Sequence, residues 1–277
     1  MALGPRATQA MREAYIHRMG LDRSLFEQLW RFFARLAVGD LGTDIWSGRS
    51  VATLVGAALP YTVALAVTGL GWAVLLGIGF GCLAAGPRRW LDRGVALVSI
   101  AFIAVPPFLV AIYCLLVFSV WLHWFPAIGA GEPGDLASEA HALVLPSLAV
   151  GLGWIGYIAR LVRASLLEVL QEKHIETARA FGLPERVILF RYALPIAVIP
   201  AISVIGVGFG ALLSGSVFAE IVFARPGIGR LVYQAILERN YPVASGAIVV
   251  TAALYAGAML LTDLAIAVLD PRSRAAL

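Results

Sequence analysis

Residue types that could perform chemistry occur in this chain, but their spacing builds no catalytic or metal-binding set. Ser214-Gly215-Ser216 lies near the end of an apolar run, with no histidine placed to activate a hydroxyl. No Gly-x-x-x-x-Gly-Lys-Ser/Thr run occurs, so this sequence lacks the cradle that holds a nucleotide's phosphates. We therefore predict that the chain is not an enzyme and carries no metal and no cofactor. The four histidines, none of which form the His-x-x-x-His spacing of a zinc site, are His17, His123, His141 and His174.

A charged segment, 160–195, separates two long apolar runs and is the most informative part of the chain. An insert of 36 polar-rich residues in so apolar a sequence indicates a partner in the water phase. Gly182 favours the end of one helix, and Pro184 favours the first turn of the next. We therefore predict one helix from Ser165 to Phe181 and a second from Glu185 to Ala193, leaning as a bent pair into the water.

Small and charged side chains in this segment could dock on a partner. Thr177, Ala178 and Ala180 would allow a close approach to a groove. Glu176 and Arg179, three residues apart on a helix, can pair with each other or with the partner. Phe181 is a candidate anchor for a pocket, as aromatic side chains often are at interfaces. The alternative is an ordinary amphipathic connector.

The composition indicates that the solvent around this chain is a lipid bilayer. Hydrophobic residues make up 60% of it and charged residues only 14%, against about 25% charged in a soluble domain. Arginines are scattered among loops, which argues against nucleic-acid binding. We predict an all-α, polytopic membrane helical bundle with five spans, because five charge-free stretches reach the roughly 20 residues needed. These stretches are 51–86, 94–131, 140–159, 192–219 and 240–262.

Prolines at two places should modify these spans. The first stretch is longer than a bilayer requires, so we expect residues up to Pro60 to lie at the interface before the span proper. Pro106-Pro107 falls within the second stretch and should kink its helix, because proline removes a backbone donor and clashes with the preceding turn.

Basic residues give the orientation of the spans, because cytoplasmic loops collect Lys and Arg. Loops 87–93 and 160–191 are rich in Arg, whereas loop 132–139 contains three acids and no base. We therefore predict that 87–93, 160–191 and the C-terminal tail are cytoplasmic. Loops 132–139 and 220–239 then face the outside.

The same orientation places residues 1–50 outside the cytoplasm, although this segment holds seven arginines. The inverted topology is the alternative, and the middle loops argue against it. Ser24-Leu25-Phe26-Glu27 has the form of a capping box that opens an amphipathic helix. Such a helix could lie on the outer membrane surface or pack on the bundle. We divide the chain into this extracytoplasmic segment, 1–50, and a transmembrane domain, 51–277, that contains the loop 160–195.

Small residues and one acid inside the spans are candidates for helix packing or for the lining of a path. Gly77 and Gly81 form a Gly-x-x-x-Gly spacing, as do Gly206 and Gly210, and this spacing lets membrane helices approach closely. Packing is the favoured interpretation. Asp263 lies well inside the last apolar run. An internal hydrogen bond, or a pair with Arg160 or Arg163, is favoured for Asp263 over a proton relay.

The loop resembles the signature of bacterial ABC importer permeases, which is Glu-Ala-Ala, three residues, Gly, nine residues, Ile-x-Leu-Pro. Here Glu176 to Gly182 is followed after nine residues by Tyr192-Ala193-Leu194-Pro195, with Thr177 in place of the first Ala and Tyr192 in place of Ile. Other stretches resemble the dipeptide, oligopeptide and nickel branch in the same order. They are Gly39-Asp40-Leu41-Gly42-Thr43, Arg160 to Leu170, Pro226-Gly227-Ile228-Gly229-Arg230-Leu231, Asn240-Tyr241-Pro242 and Leu269-Asp270-Pro271-Arg272.

This resemblance implies a permease subunit in a bacterial inner membrane, which imports peptides or a related small solute such as nickel. It implies that 176–182 docks on one of two cytoplasmic ATPase subunits, where ATP is hydrolysed, and that a second permease subunit completes the path. Family members have six helices, so the first is expected to be missing here. A self-contained secondary transporter or channel is the alternative. An extracytoplasmic solute-binding protein would be received by the outer loop at Pro226, Gly227, Gly229, Arg230, Tyr241 and Pro242.

Overall fold

The computed structural model describes residue 9 and residues 22–86 and 88–269 of the chain. These residues form helices, joined by turns and by one isolated bridge between Thr43 and Ser50, which confirms the all-α prediction. In chain order the helices are α1 (Leu25–Ala37), α2 (Val51–Ala84), α3 (Arg89–Ala104), α4 (Pro107–Trp121), α5 (Leu136–Val169), α6 (Lys173–Ala180), α7 (Glu185–Val187, continued by the π-helical turns Ile188–Ala193 and by Leu194–Ala197), α8 (Ile199–Val222), α9 (Ile228–Leu237) and α10 (Tyr241–Leu269).

The described residues contain four helices that can each cross a bilayer, or five spans if one bent pair of helices counts as a single span. Helices α2, α5, α8 and α10 are each long and apolar enough to cross a bilayer. Helices α3 and α4 are apolar enough only together, and they bend by 100° at the break between them, as a broken span or a re-entrant loop does. The bend lies at Pro106-Pro107, where the prolines cannot donate backbone hydrogen bonds and Val105 is extended. The predicted kink is therefore a complete break between two helices.

Helix α2 begins at Val51 and passes Pro60 without interruption. At 34 residues it is roughly 51 Å long, which exceeds the hydrocarbon thickness of about 30 Å. Its first turns are held by packing, because Val51, Val55 and Ala58 are buried against Val243 and other residues of α10. The placement of residues up to Pro60 at the interface stays a prediction.

The centre of the bundle is the pair α2 and α5, which approach closely at glycines. A Cβ on Gly77 would lie 2.8 Å from Ile158, and a Cβ on Gly81 would lie 2.8 Å from Val162. At Gly151 an added Cβ would lie only 2.4 Å from the carbonyl oxygen of Gly69. Gly77 and Gly81 thus occupy a helix interface inside this chain, as the favoured packing interpretation expects.

Candidate functional site

The charged loop begins with a turn that the sequence analysis did not predict. Helix α5 ends at Val169, and α6 starts at Lys173 after Glu172 adopts an extended backbone. The prediction of one helix from Ser165 to Phe181 is therefore wrong. The turn folds α6 back on the bundle, so that Ile175 and Ala178 join the buried cluster at the end of α5.

The end of α6 follows the predicted break. Gly182 has a φ of +75°, a left-handed conformation that glycine adopts at little cost. Its N–H donates to the carbonyl of Arg179 at 2.9 Å, and the N–H of Leu183 reaches the carbonyl of Ala178 at 3.2 Å. Pro184 then precedes the first residue of α7. The helical run from Glu185 to Ala193 is confirmed, with π-helical turns over its last 6 residues.

A salt bridge joins the two arms of the loop. Arg179 Nε lies 2.8 Å from Glu185 Oε1, and its Nη2 lies 3.4 Å from Oε2. This hydrogen bonding lowers the pKa of Glu185 and raises that of Arg179. The expected pair within α6, Glu176 with Arg179, is present only as a weaker electrostatic interaction.

The loop presents a mixed face to the solvent. Glu176, Thr177 and Ala180 are exposed, and Phe181 is 81% exposed although it is aromatic. Ala178 is 6% exposed and packs inward, so its expected contact with a partner is corrected: it fixes α6 to the bundle. The arrangement is a short helix held from behind, with one large apolar side chain at its tip.

At the opposite end of the bundle, a buried carboxyl group organises loop 220–239, which we name the outer loop after its predicted side of the membrane. Glu220, at the end of α8, is fully buried and accepts a hydrogen bond of 2.7 Å from Thr62 Oγ1 in α2. Its other oxygen accepts from the backbone N–H of Arg230 at 2.9 Å. Thr62 in turn accepts from the backbone N–H of Ile228 at 2.8 Å. These bonds join the loop to two spans at once, and we refer to Glu220, Thr62, Ile228 and Arg230 as the outer latch.

The glycines of this loop leave room for the outer latch. A Cβ on Gly227 would lie 2.2 Å from Cδ of Glu220. A Cβ on Gly229 would lie 2.7 Å from Val217 and 3.0 Å from Glu220 Oε2. Both glycines are buried, which corrects their expected direct contact with a binding protein. Pro226 and Tyr241 are exposed at the same end of the bundle, whereas Arg230 and Pro242 are half-buried.

Arg225 is a second buried polar group beside the latch. Its side chain is 3% exposed and donates from Nη1 to the carbonyl of Ala142, at the start of α5, over 3.2 Å. Burial lowers the pKa of this guanidinium. Gly129 also donates to the carbonyl of Phe223 at 2.8 Å, so the loop before α5 is held to the same turn.

Two stretches that the sequence analysis treated separately meet at the outer end. Asn240 Nδ2 donates to Asp44 Oδ1, and a Cβ on Gly42 would lie 3.6 Å from Cβ of Pro242. Burial of Asp44 opposes its ionisation, but hydrogen bonds from Ser47, Trp46 and Asn240 outweigh it and lower the pKa of this carboxyl group. Residues 39–44 are thereby joined to the α9–α10 corner.

Glycines also set the contact between α8 and α10. A Cβ on Gly206 would lie 2.9 Å from Thr262, and one on Gly210 would lie 2.3 Å from the ring of Tyr255. Between these helices and α9 lies a groove of about 490 Å³ whose lining includes Ser214, Thr251 and Tyr255.

Asp263 does not pair with Arg163, which was one of the contacts favoured for it beside an internal hydrogen bond or a pair with Arg160. Arg163 binds Asp92 instead, with Nη2 at 2.8 Å from Oδ2, and Asp263 is exposed on α10. Within the described residues, Asp263 forms no ion pair with Arg160 either. Within the same residues, no three His, Cys, Asp or Glu side chains come together as a metal site.

Sequence reasoning missed Glu220, Thr62 and Arg225. Glu220 was taken as the first loop residue after an apolar run, and Thr62 as an ordinary residue of a span. The available signal was weak: an acid directly follows a charge-free stretch and precedes Pro226-Gly227. It gives no indication that Thr62 is the partner.

Comparisons with known proteins agree with this architecture. The family model described as "Binding-protein-dependent transport system inner membrane component" matches residues 77–275. The glutathione transport system permease protein GsiC of Escherichia coli (strain K12) is 35% identical over 272 residues, which cover 98% of this chain and 87% of the relative. GsiC of Shigella boydii serotype 4 is 34% identical over the same length.

Solved structures show the same fold. An inward-facing structure of the MetNI methionine ABC transporter matches with a TM-score of 0.65 at 21% identity, covering 78% of this chain and 96% of the other. A second match, to an amino acid ABC transporter, has a TM-score of 0.55 at 16% identity, covering 80% and 94%. These findings favour an ABC importer permease over a self-contained secondary transporter or channel. The chain therefore belongs to the family of binding-protein-dependent transport system inner membrane components, as a multi-pass permease subunit of a bacterial ABC importer.

Proposed function

We propose that this chain and a second permease subunit form the path for a peptide-like solute. Two cytoplasmic ATPase subunits would supply the energy and an extracytoplasmic solute-binding protein would deliver the solute. Support for the solute class comes from the relatives at 35% identity, whose name refers to glutathione, a tripeptide. The chain itself would hydrolyse no ATP and hold no cofactor.

The observation that carries the coupling role is the exposed Phe181 on a rigidly held helix. Ile175 and Ala178 anchor α6 from behind, and the salt bridge between Arg179 and Glu185 ties it to α7. Phe181 is 81% exposed at the end of this element. A motion of an ATPase subunit bound to Phe181 would therefore pass to α5 through the buried cluster and to α8 through α7.

The outer loop is proposed to receive the binding protein through α9 and the start of α10. Ile236, Leu237 and Tyr241 are 59%, 65% and 63% exposed there, although they are apolar or aromatic. The outer latch lies beneath this surface and connects it to α2 and α8. Binding at the surface would thus bias the arrangement of two spans, which is the differential contact that coupling between sites requires.

Residues 1–50 are proposed to lie outside the cytoplasm, with α1 on the outer membrane surface. Ser24 caps α1 by accepting from the N–H of Glu27, as the capping box predicted. No residue of α1 is buried, and Leu25, Phe26 and Trp30 are at least 68% exposed. Its apolar face is therefore available to lipid headgroups and acyl chains.

The decisive experiment uses the whole importer, co-expressed with its ATPase subunits. Phe181→Ala should weaken association with the ATPase roughly 30-fold, as expected for an aromatic anchor that contributes about 2 kcal/mol. ATP-driven uptake of labelled glutathione should fall in parallel. Phe190→Ala is the matched control, because Phe190 lies on α7 and is 58% exposed. Equal effects of the two variants, or none from Phe181→Ala, would contradict the assignment of the loop.

The solute class needs its own measurement. Uptake of labelled glutathione should be inhibited by excess unlabelled tripeptides and left unchanged by nickel ions. Saturable uptake of nickel with no uptake of peptides would overturn the proposed solute and leave the permease assignment intact.

A further inference from the structure

A groove between α3 and α5 is not used by the coupling loop, the outer latch or the groove beside α10. Its volume is about 410 Å³, and four of its lining side chains are charged: Asp92, Arg93, Arg160 and Arg163. The remaining lining is small or aliphatic. A groove that combines charged and apolar walls is suited to an amphipathic ligand.

The charges of this groove are positive on balance. Three guanidinium groups face one carboxylate, which leaves a net charge of +2. Asp92 is already occupied by Arg163, through two hydrogen bonds that use both of its oxygens. Arg93 and Arg160 are exposed, and neither forms an ion pair with another residue among 22–86 and 88–269. Two guanidinium groups are thus available to an external anion, and a phosphate group matches their hydrogen-bonding geometry.

The groove lies at the level where phospholipid headgroups are expected. Arg93 is the last charged residue before the apolar run 94–131, and Arg160 is the first after the run 140–159. Both residues therefore mark the boundary between hydrocarbon and water. The excess of arginines in the adjoining loops 87–93 and 160–191 indicates that this boundary is the cytoplasmic one.

The apolar part of the groove continues into a surface suited to acyl chains. Ala96 and Ile100 of α3 and Ala159 of α5 line its floor. On α3, the side chain of Leu97 is 69% exposed and that of Ile100 is 54% exposed. A headgroup bound at the arginines would leave its acyl chains beside these residues. An acidic segment of a soluble partner would gain nothing from this apolar floor.

We propose that this groove binds the phosphate of an anionic phospholipid of the inner leaflet. Arg93 and Arg160 hold the phosphate, and the ion pair between Arg163 and Asp92 fixes the groove by joining α3 to α5. Basic pockets between membrane helices on the cytoplasmic side are suited to such headgroups. The inference does not depend on the solute proposed above, although it does rest on the predicted orientation.

The test measures lipid binding by the purified importer in nanodiscs. The lipid is phosphatidylcholine with increasing fractions of phosphatidylglycerol, and bound lipid is counted by native mass spectrometry. Each guanidinium near the membrane surface contributes about fivefold in affinity, so Arg93→Gln with Arg160→Gln should lower the apparent affinity about 25-fold. The matched control is Arg186→Gln with Arg191→Gln, which removes two exposed arginines of the charged loop outside this groove.

Further variants separate charge from folding. Arg93→Lys with Arg160→Lys keeps both charges and should recover most of the affinity for phosphatidylglycerol. The proposal is supported if the glutamine pair loses affinity for phosphatidylglycerol, the lysine pair recovers it and the control keeps it. It is overturned if the control loses as much affinity as the glutamine pair. It is also overturned if the glutamine pair folds and retains the wild-type preference for phosphatidylglycerol over phosphatidylcholine.

Two other occupants give distinct outcomes. Inorganic phosphate shares the chemistry of the headgroup, so it is titrated in the absence of anionic lipid. If millimolar phosphate raises the melting midpoint as much as phosphatidylglycerol does, the groove binds soluble phosphate and the lipid proposal is refuted. If the glutamine pair releases an ATPase subunit and leaves lipid binding unchanged, an acidic partner surface occupies the groove and the proposal fails.

Discussion

Thr62 and Glu220 are 158 positions apart, yet their side chains share a hydrogen bond of 2.7 Å inside the outer end of the bundle. Thr62 also accepts from the backbone of Ile228, so one hydroxyl connects α2, α8 and the loop before α9. A single side chain thus couples the outer loop to both α2 and α8.

Thr62→Val should destabilise the protein, because it leaves the N–H of Ile228 without a partner and removes a donor to Glu220. Leaving such a buried group unsatisfied costs about 1–3 kcal/mol. The free energy of unfolding in detergent, or the melting midpoint of the purified importer, measures this change. Thr68→Val is the matched control on the same helix, because Thr68 bonds only to carbonyls of its own helix. A similar loss of unfolding free energy in the two variants would show that the bonds of the outer latch add no stability of their own.

Gly227→Ala should disrupt the outer loop more than its size suggests. The added Cβ would lie 2.2 Å from Cδ of Glu220, so either the carboxyl group or the loop must move. Overpacking of this kind typically costs about 1–3 kcal/mol. We expect a lower melting midpoint of the importer and weaker stimulation of its ATP-driven uptake by the binding protein. Gly79→Ala is the comparison, since nothing lies within 4 Å of its added Cβ. An unchanged midpoint in Gly227→Ala would mean that the latch is not rigid.

The sequence predicts the spans because the length of an apolar run is a local property. It also predicts the break at Gly182-Leu183-Pro184, because a left-handed glycine and a proline in the first helical turn act on neighbouring residues. It does not predict the turn after Val169, where Leu170, Gln171 and Glu172 are ordinary helix formers. That turn depends on the burial of Ile175, which is decided by tertiary packing.

The partners of buried polar residues are the part that sequence reasoning could not supply. Glu220 bonds to Thr62 across 158 positions, and Arg163 bonds to Asp92 across 71. Charge and spacing alone favoured an internal hydrogen bond for Asp263, or a pair with Arg160 or Arg163, because all three residues lie near the predicted cytoplasmic end. Only the relative rotation of the helices decides between such candidates, and a single sequence does not give that rotation.

Gly182→Ala should weaken the coupling loop through backbone strain alone. Gly182 has a φ of +75°, and nothing lies within 4 Å of an added Cβ. The left-handed conformation costs a residue with a side chain about 1–2 kcal/mol. Gly182→Asn should destabilise the loop less than Gly182→Ala does, because asparagine tolerates the left-handed conformation better. Hydrogen exchange of α6 and ATP-driven uptake are the measurements. The strain argument fails if alanine and asparagine behave alike.

The salt bridge between Arg179 and Glu185 should give the loop a pH-dependent order. The guanidinium lowers the pKa of Glu185 below its ordinary value of 4.5, so the folded loop favours the charged form. The resulting stability is fully present above 4.5 and is lost as the pH falls through the lower, folded pKa. Hydrogen exchange of α6 and α7 should therefore be constant near neutral pH and rise only in acid. Salt should weaken the effect, because both side chains are exposed.

A charge reversal tests whether this pair acts on transport through geometry. Arg179→Glu alone places two carboxylates together, so we expect faster exchange in α6 and reduced ATP-driven uptake. Adding Glu185→Arg restores opposite charges and should recover the exchange rates of the loop. Recovery of both readouts shows that the pair positions α6. If exchange recovers and uptake does not, the guanidinium of Arg179 itself contacts the ATPase, and its pairing with Glu185 is secondary.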